Sequence, residues 1–177
     1  MLTEQKISAA DAGSATHLVL EHLDFSAACD RADIHSQIDG LVKRKLLPPA
    51  LAASVDVESI VWMMSTPLGG LLRRNCHLLQ REVPIHYSLA FTEGTSPAEP
   101  RDLVMVRGRI DLLIPDPSGL VIVDFKTDNV NSNKVSARAA FYAPQLESYR
   151  DAIQDITGQT VCSSFLVFLA ARDIREV

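Results

Sequence analysis

The stretch from Leu103 to Thr127, "LVMVRGRIDLLIPDPSGLVIVDFKT", holds two runs rich in Val, Ile and Leu, separated by Asp-Pro-Ser-Gly. Apolar runs bounded by turn residues read as strands. Pro at the second and Gly at the fourth position of residues 116–119 suit a type I turn, so the stretch is predicted to be an antiparallel hairpin. With Pro117 and Ser118 as the loop, opposed residues have numbers summing to 235, which sets Asp111 across from Asp124 with both side chains on one face. Their Cβ atoms would then lie ~5 Å apart. Opposed like charges destabilise a sheet, and keeping both ionised asks for a cation between them. A hard divalent ion suits the pair, since Mg2+ takes one or two carboxylates together with water and phosphate oxygens. Lys126, two residues after Asp124, shares its face, where it can orient a water and offset charge building on a phosphoryl group. Two features qualify the hairpin reading. A bulge at Gly108 would shift the register, and Asp-x-Lys alone is a common tripeptide that also suits a strand end emerging into solvent.

The remaining chain is read around this hairpin. "SAADAGSATHLVLEHLDFSAA" predicts a first helix carrying His17, with Ser8 and Asp11 in capping-box spacing. Residues 33–46 and 56–66 read as further helices, separated by Pro48-Pro49 and ended by Pro67 and Gly69-Gly70, with a short "LLRR" helix beyond. From Glu82, "EVPIHYSLAF" alternates as a strand, and "TEGTSPAEPRD" reads as a loop before the hairpin. "YAPQLESYRDAIQDITG" follows as a helix stopped at Gly158, and "VCSSFLVFLA" as a closing strand. The expected fold class is α/β (α+β): helices, three strands, helix, strand, in one domain over 1–177. Its helical region covers about 8–80 and its sheet and helices about 82–170.

Composition limits the function classes. The chain has 177 residues, 47% hydrophobic and 22% charged, and no apolar run approaches the ~20 residues that a membrane span needs. "MLTEQKISAADAG" has neither a basic nor an apolar signal region, so the cytoplasm is the expected compartment. Cys29, Cys76 and Cys162 are odd in number and lack CxxC spacing, which argues against disulfides, structural zinc and an iron–sulfur cluster. The net charge of −5 is unlike that of a free-standing nucleic-acid binder. The basic groups Lys43-Arg44-Lys45, Arg73-Arg74, Arg107 and Arg109 read as solvated faces. Trp62 and Met63-Met64 read as core, and His22, His35, His77 and His86 show no metal-ligand spacing with one another.

Four stretches taken in order, "GSATHLVLEHL", "REVPIHY", "GRIDLLIPDPSGLVIVDFKTD" and "APQLESYRDAI", resemble the PD-(D/E)xK nuclease superfamily. Within it, they are similar to the RecB-like nuclease domain at the C-terminus of bacterial helicase–nucleases of the AddA and RecB type. The resemblance implies a restriction-endonuclease-like mixed sheet flanked by helices. It implies His17, Asp111, Asp124 and the main-chain carbonyl of Phe125 as metal ligands, and Lys126 as the catalytic lysine. Gln145 and Tyr149 match a supporting Gln-x-x-x-Tyr motif whose spacing of four sets both on one helix face. Glu82 matches an acidic position that reaches the metal through water. The implied activity is that of a Mg2+- or Mn2+-dependent, exonuclease V-like deoxyribonuclease on single-stranded DNA, in double-strand-break repair and recombination, at the bacterial nucleoid. The implied partners are DNA, a helicase domain in the same parent protein or complex, and a second nuclease/helicase subunit. No Walker sequence GxxxxGK[ST] occurs, so no ATP site is expected here. The alternatives are a stand-alone nuclease of the superfamily and a non-catalytic DNA-gating module. The gating module predicts missing catalytic residues, whereas here they are present.

Overall fold

In a computed structural model, residues 7–90 and 103–177 are described. The "TEGTSPAEPRD" loop lies outside the described residues. The elements are α1 (Ala9–His22), α2 (Arg31–Lys43), α3 (Pro49–Ala52), α4 (Val57–Met64), α5 (Pro67–Arg74), β1 (Gln80–Ala90), β2 (Leu103–Asp116), β3 (Gly119–Lys126), α6 (Val135–Thr157), β4 (Val161–Phe168) and β5 (Asp173–Glu176). The sheet has the order β1-β2-β3-β4-β5. β1, β2 and β3 form an antiparallel meander, β4 runs parallel to β3 after the α6 crossover, and β5 returns antiparallel. The expected mixed sheet flanked by helices is present, with β5 as an additional edge strand.

Local chemistry explains several boundaries. Ser8 and Asp11 form the capping box expected at the start of α1. α4 stops at Met64, before Pro67 as expected, but Pro67 also opens α5 behind the Thr66 cap, and Gly69-Gly70 lie inside that helix instead of ending one. Proline at a first helical position loses no hydrogen bond, because that N–H has no partner there in any case. α6 begins seven residues earlier than the sequence pattern suggests and continues through Pro144 to Gly158 in the left-handed conformation.

α1 to α5 cover one face of the sheet. Val19, Leu20, Ile34, Ile60, Met63 and Leu72 pack there against Leu112, Ile114, Val121 and Val123. α6 covers the other face, where Leu146, Tyr149 and Ile153 meet Ile110, Leu113, Ile122 and Leu166. Each such side chain contributes about 1.5–3 kcal/mol on full burial, so both faces of β2 and β3 are held from two sides. Among the described residues no helix is long and apolar enough to cross a membrane.

Candidate active site

The DPSG turn delivers the register predicted for it. The pairs Asp116–Gly119 through Leu112–Val123 all sum to 235. The ladder stops there, one pair short of Asp111–Asp124. In place of a further main-chain bond, the Phe125 N–H donates to Asp111 Oδ2 at 2.6 Å. The irregularity is not at Gly108, which pairs in register with Ile85. It is at the Glu82–Asp111 pair, which the β1–β2 ladder omits between Arg81–Leu112 and Val83–Ile110 without any change of register, and the Glu82 φ there is +52°. A left-handed conformation at a non-glycine residue costs about 1–3 kcal/mol. The constant register sets Glu82 across from Asp111, and one carboxylate oxygen from each, with a His17 ring nitrogen, lie within 4.8 Å of one another.

His17 reaches this point because α1 is anchored at both ends. At Gly13 the helix comes so close to the residue that follows β3 that an added Cβ would stand 2.7 Å from Thr127 Oγ1. His17, one turn later, places Nδ1 at 3.5 Å from Asp111 Oδ1. At the other end the Arg81 guanidinium donates to the carbonyls of Leu20, Glu21 and Leu23 at 2.8–2.9 Å. A cation on the terminal carbonyls satisfies acceptors that the helix leaves open and complements its dipole. The hydrogen bond to Asp111 raises the His17 pKa, against the opposing effect of burial, with Asp124 and Glu82 adding to the rise.

Asp124 and Lys126 sit on the other side of this gap. Asp124 is 4% exposed, and its carboxyl is pushed up to about 6, first by burial and then by the Asp111 charge, with Lys126 opposing. Lys126 Nζ stands 2.6 Å from Asp124 Oδ2, a close ion pair between two largely buried groups. Lys126 also donates to Gln145 Oε1 at 3.1 Å. Gln145 Nε2 donates to the Tyr149 hydroxyl at 3.0 Å, which also accepts the Arg109 N–H at 3.3 Å. The lysine is therefore held by a relay that runs from α6 back to the backbone of β2, and it also lies 3.9 Å from the Tyr142 ring centroid. Asp128, beyond β3, accepts from Arg138 and from the Tyr142 hydroxyl. Burial opposes its ionisation, but these bonds outweigh it and hold the Asp128 carboxyl below its ordinary value.

The residues singled out in the sequence thus converge, in two groups. His17, Glu82 and Asp111 line a cavity of about 650 Å³ together with Arg109, Thr127 and Asp128. Asp124, Lys126, Gln145 and Tyr149 form the adjoining polar chain, with Phe125 between them. Asp124 does not join the trio at 4.8 Å. One imidazole and two carboxylates are donors suited to a divalent cation such as Mg2+ or Mn2+, and the buried Asp124 carboxyl, close enough to Asp111 to feel its charge, adds a further oxygen donor group next to them. The residues present fit such an ion.

A mixed sheet whose β3 carries Asp-x-Lys at the end nearest a histidine-bearing helix defines a restriction-endonuclease-like protein. The chain belongs to the PD-(D/E)XK nuclease superfamily, whose family model matches residues 2–176. It is 34% identical over 94% of its length to an ATP-dependent helicase/nuclease subunit from Pelotomaculum thermopropionicum. It is 32% identical over 94% to the identically named protein from Moorella thermoacetica, and 35% identical over 87% to that from Desulforudis audaxviator. The chain spans 13%, 12% and 13% of these relatives' lengths, respectively.

Sequence reasoning treated Arg109 as a solvated charge. It is 66% exposed, yet Nη1 pairs with Glu82 Oε2 at 2.9 Å, on the carboxylate of the trio. Its position two residues before Asp111 was the available signal, because alternate residues of a strand share a face. Arg81 carries no comparable local signal, since its partners are about sixty residues away in sequence.

Proposed function

We propose that residues 1–177 act as one nuclease module, which hydrolyses phosphodiester bonds of single-stranded DNA with Mg2+ or Mn2+. The parent assembly in this reading is an ATP-dependent helicase–nuclease that processes double-strand breaks for recombination in the bacterial cytoplasm, at the nucleoid. The observation that carries the reading is the convergence of His17, Glu82 and Asp111 beside the buried Asp124–Lys126 pair.

His17, Asp111, Asp124 and the Phe125 carbonyl would hold the cation, with Glu82 beside them. When bound, the cation supplies Lewis-acid polarisation of the phosphodiester and lowers the pKa of coordinated water. Lys126 then orients the attacking water, held in place by Gln145 and Tyr149, and its charge offsets that developing on the phosphoryl oxygens. Attack in line on phosphorus, with departure of the 3′ oxygen, leaves 5′-phosphate and 3′-hydroxyl ends. The names of the relatives support attachment to a helicase, which would supply most phosphate contacts and the ATP site. An acidic module with a net charge of −5 then has only one scissile bond to handle. A second nuclease/helicase subunit is part of the same proposal.

The test is cleavage of a labelled single strand with Mg2+ or Mn2+, comparing wild type with Asp124→Ala and Lys126→Ala. Both variants are expected to stay folded and to lose cleavage by two orders of magnitude or more. Wild-type rates in both variants would refute the assignment.

A further inference from the structure

We propose that the start of α6, with Lys134 just before it, carries a nucleotide subsite for the single strand beside the acidic centre, with Phe141 as a stacking platform and Lys134 as a phosphate contact. The proposal rests on the nuclease reading above and adds to it where the strand lies.

Phe141 is 68% exposed. A lone exposed aromatic is ordinary; its surroundings carry the argument. Lys134, Arg138, Phe141, Gln145 and Tyr149 follow one another at spacings of three and four, which is one stripe of a helix. About 10 Å of helix axis separates Arg138 from Gln145, the residue that holds Lys126. A second cavity of about 490 Å³ is lined by Lys134, Arg138 and Phe141 together with Asp128 and Asn129. Asp128 and Asn129 also line the cavity of His17 and Asp111, so the two spaces adjoin.

The platform is braced from beneath. Tyr142 meets Phe141 edge-on, with centroids 5.2 Å apart at 78°, and the Arg138 guanidinium lies 5.1 Å from the Phe141 centroid. Asp128, the carboxylate facing this cavity, is neutralised by Arg138 at 2.6 Å, which limits its repulsion of a phosphate. An exposed ring beside a charge-neutral Arg138–Asp128 pair, with the Lys134 cation on the same stripe, suits a base and its phosphate. Because every base has a π-face, such a platform tolerates any sequence, but it requires an unstacked base and so selects single strands over duplex.

The test measures binding of the full chain to labelled oligothymidylate, to the same oligonucleotide with abasic positions, and to duplex. Ca2+ stands in for Mg2+ to prevent turnover. Phe141→Ala is expected to bind oligothymidylate about tenfold more weakly, because stacking contributes roughly 1–3 kcal/mol per base. Phe141→Trp should keep wild-type affinity. The abasic strand should bind wild type as weakly as the alanine variant, with no further loss in that variant. Binding of oligothymidylate by Phe141→Ala within twofold of wild type would assign Phe141 to a contact with another protein segment and overturn the proposal, as would an equal loss on the abasic strand. Cleavage of the same oligonucleotide by wild type with Mg2+ separates the two readings. Cleavage without a Phe141 effect overturns the subsite alone, whereas absence of both binding and cleavage overturns the nuclease reading with it.

Discussion

Gly108→Ala probes whether the position of Tyr149 matters to the lysine relay. An added Cβ would stand 2.6 Å from Tyr149 Cε1 and 2.7 Å from Cζ, and would collide with the hydroxyl as well. Unstrained carbon contacts lie at about 3.5–4.0 Å, so the ring must retreat by roughly 1 Å. Tyr149 is 3% exposed and packed among α6 and sheet side chains, which leaves it little room. Overpacking of this kind costs about 1–3 kcal/mol. The same retreat pulls the hydroxyl away from Gln145 and from the Arg109 N–H, and Gln145 is what holds Lys126. A catalytic group displaced by about 1 Å loses on the order of 100-fold in rate. Urea unfolding and metal-dependent strand cleavage, measured on one preparation, give both numbers. Adding Tyr149→Phe removes the nearest clashing atom, so the double variant should recover part of the stability lost by Gly108→Ala but none of the rate. An alanine variant within about 0.5 kcal/mol of wild type and cleaving at full rate would refute the reasoning.

Two further outcomes are expected. The folded Asp124 carboxyl titrates at about 6 against an ordinary 3.8, so the fold favours its protonated form; ionisation costs nothing below pH ~3.8 and costs most above pH ~6. A shift of about 2 units at ~1.4 kcal/mol each is roughly 3 kcal/mol, so without divalent metal Asp124→Asn should be more stable than wild type by about that amount at pH 7.5, with the gap closing near pH 4. Chemical unfolding at the two pH values checks this, and a gap independent of pH would contradict it. Arg109 holds the Glu82 carboxylate that a cation would use, through an ion pair exposed on the arginine side, so Arg109→Ala should raise Mn2+ affinity by about fivefold at most in calorimetry. Weaker Mn2+ binding would show that Glu82 does not serve the ion.

The parts of the fold legible in the sequence are those governed by neighbours along the chain. The Asp116–Gly119 turn sets the β2–β3 register, the Ser8–Asp11 box starts α1, and the spacing of Gln145 and Tyr149 sets both on one side of α6. Alternation along a strand likewise brings Asp124 and Lys126 together. β5 escaped because "DIRE" is short and charged, and it forms only through the β4 edge beside it. The Gly69-Gly70 pair misled because an isolated helix would break there, whereas α5 holds both glycines within a helix capped by Thr66 and packed through Leu68 and Leu72.

The sequence by itself determined which residue types were available and the local geometry of the hairpin, because turns, caps and alternation act over a few residues. Tertiary structure alone decided that the β2–β3 ladder stops just before Asp111, that Glu82 takes a left-handed conformation, and that Arg81 pins α1 so that His17 meets both carboxylates. Those outcomes depend on how closely α1 approaches the sheet at Gly13 and on how α6 fills the space over Gly108. Contacts across tens of residues are set by packing of whole elements, which no local pattern records.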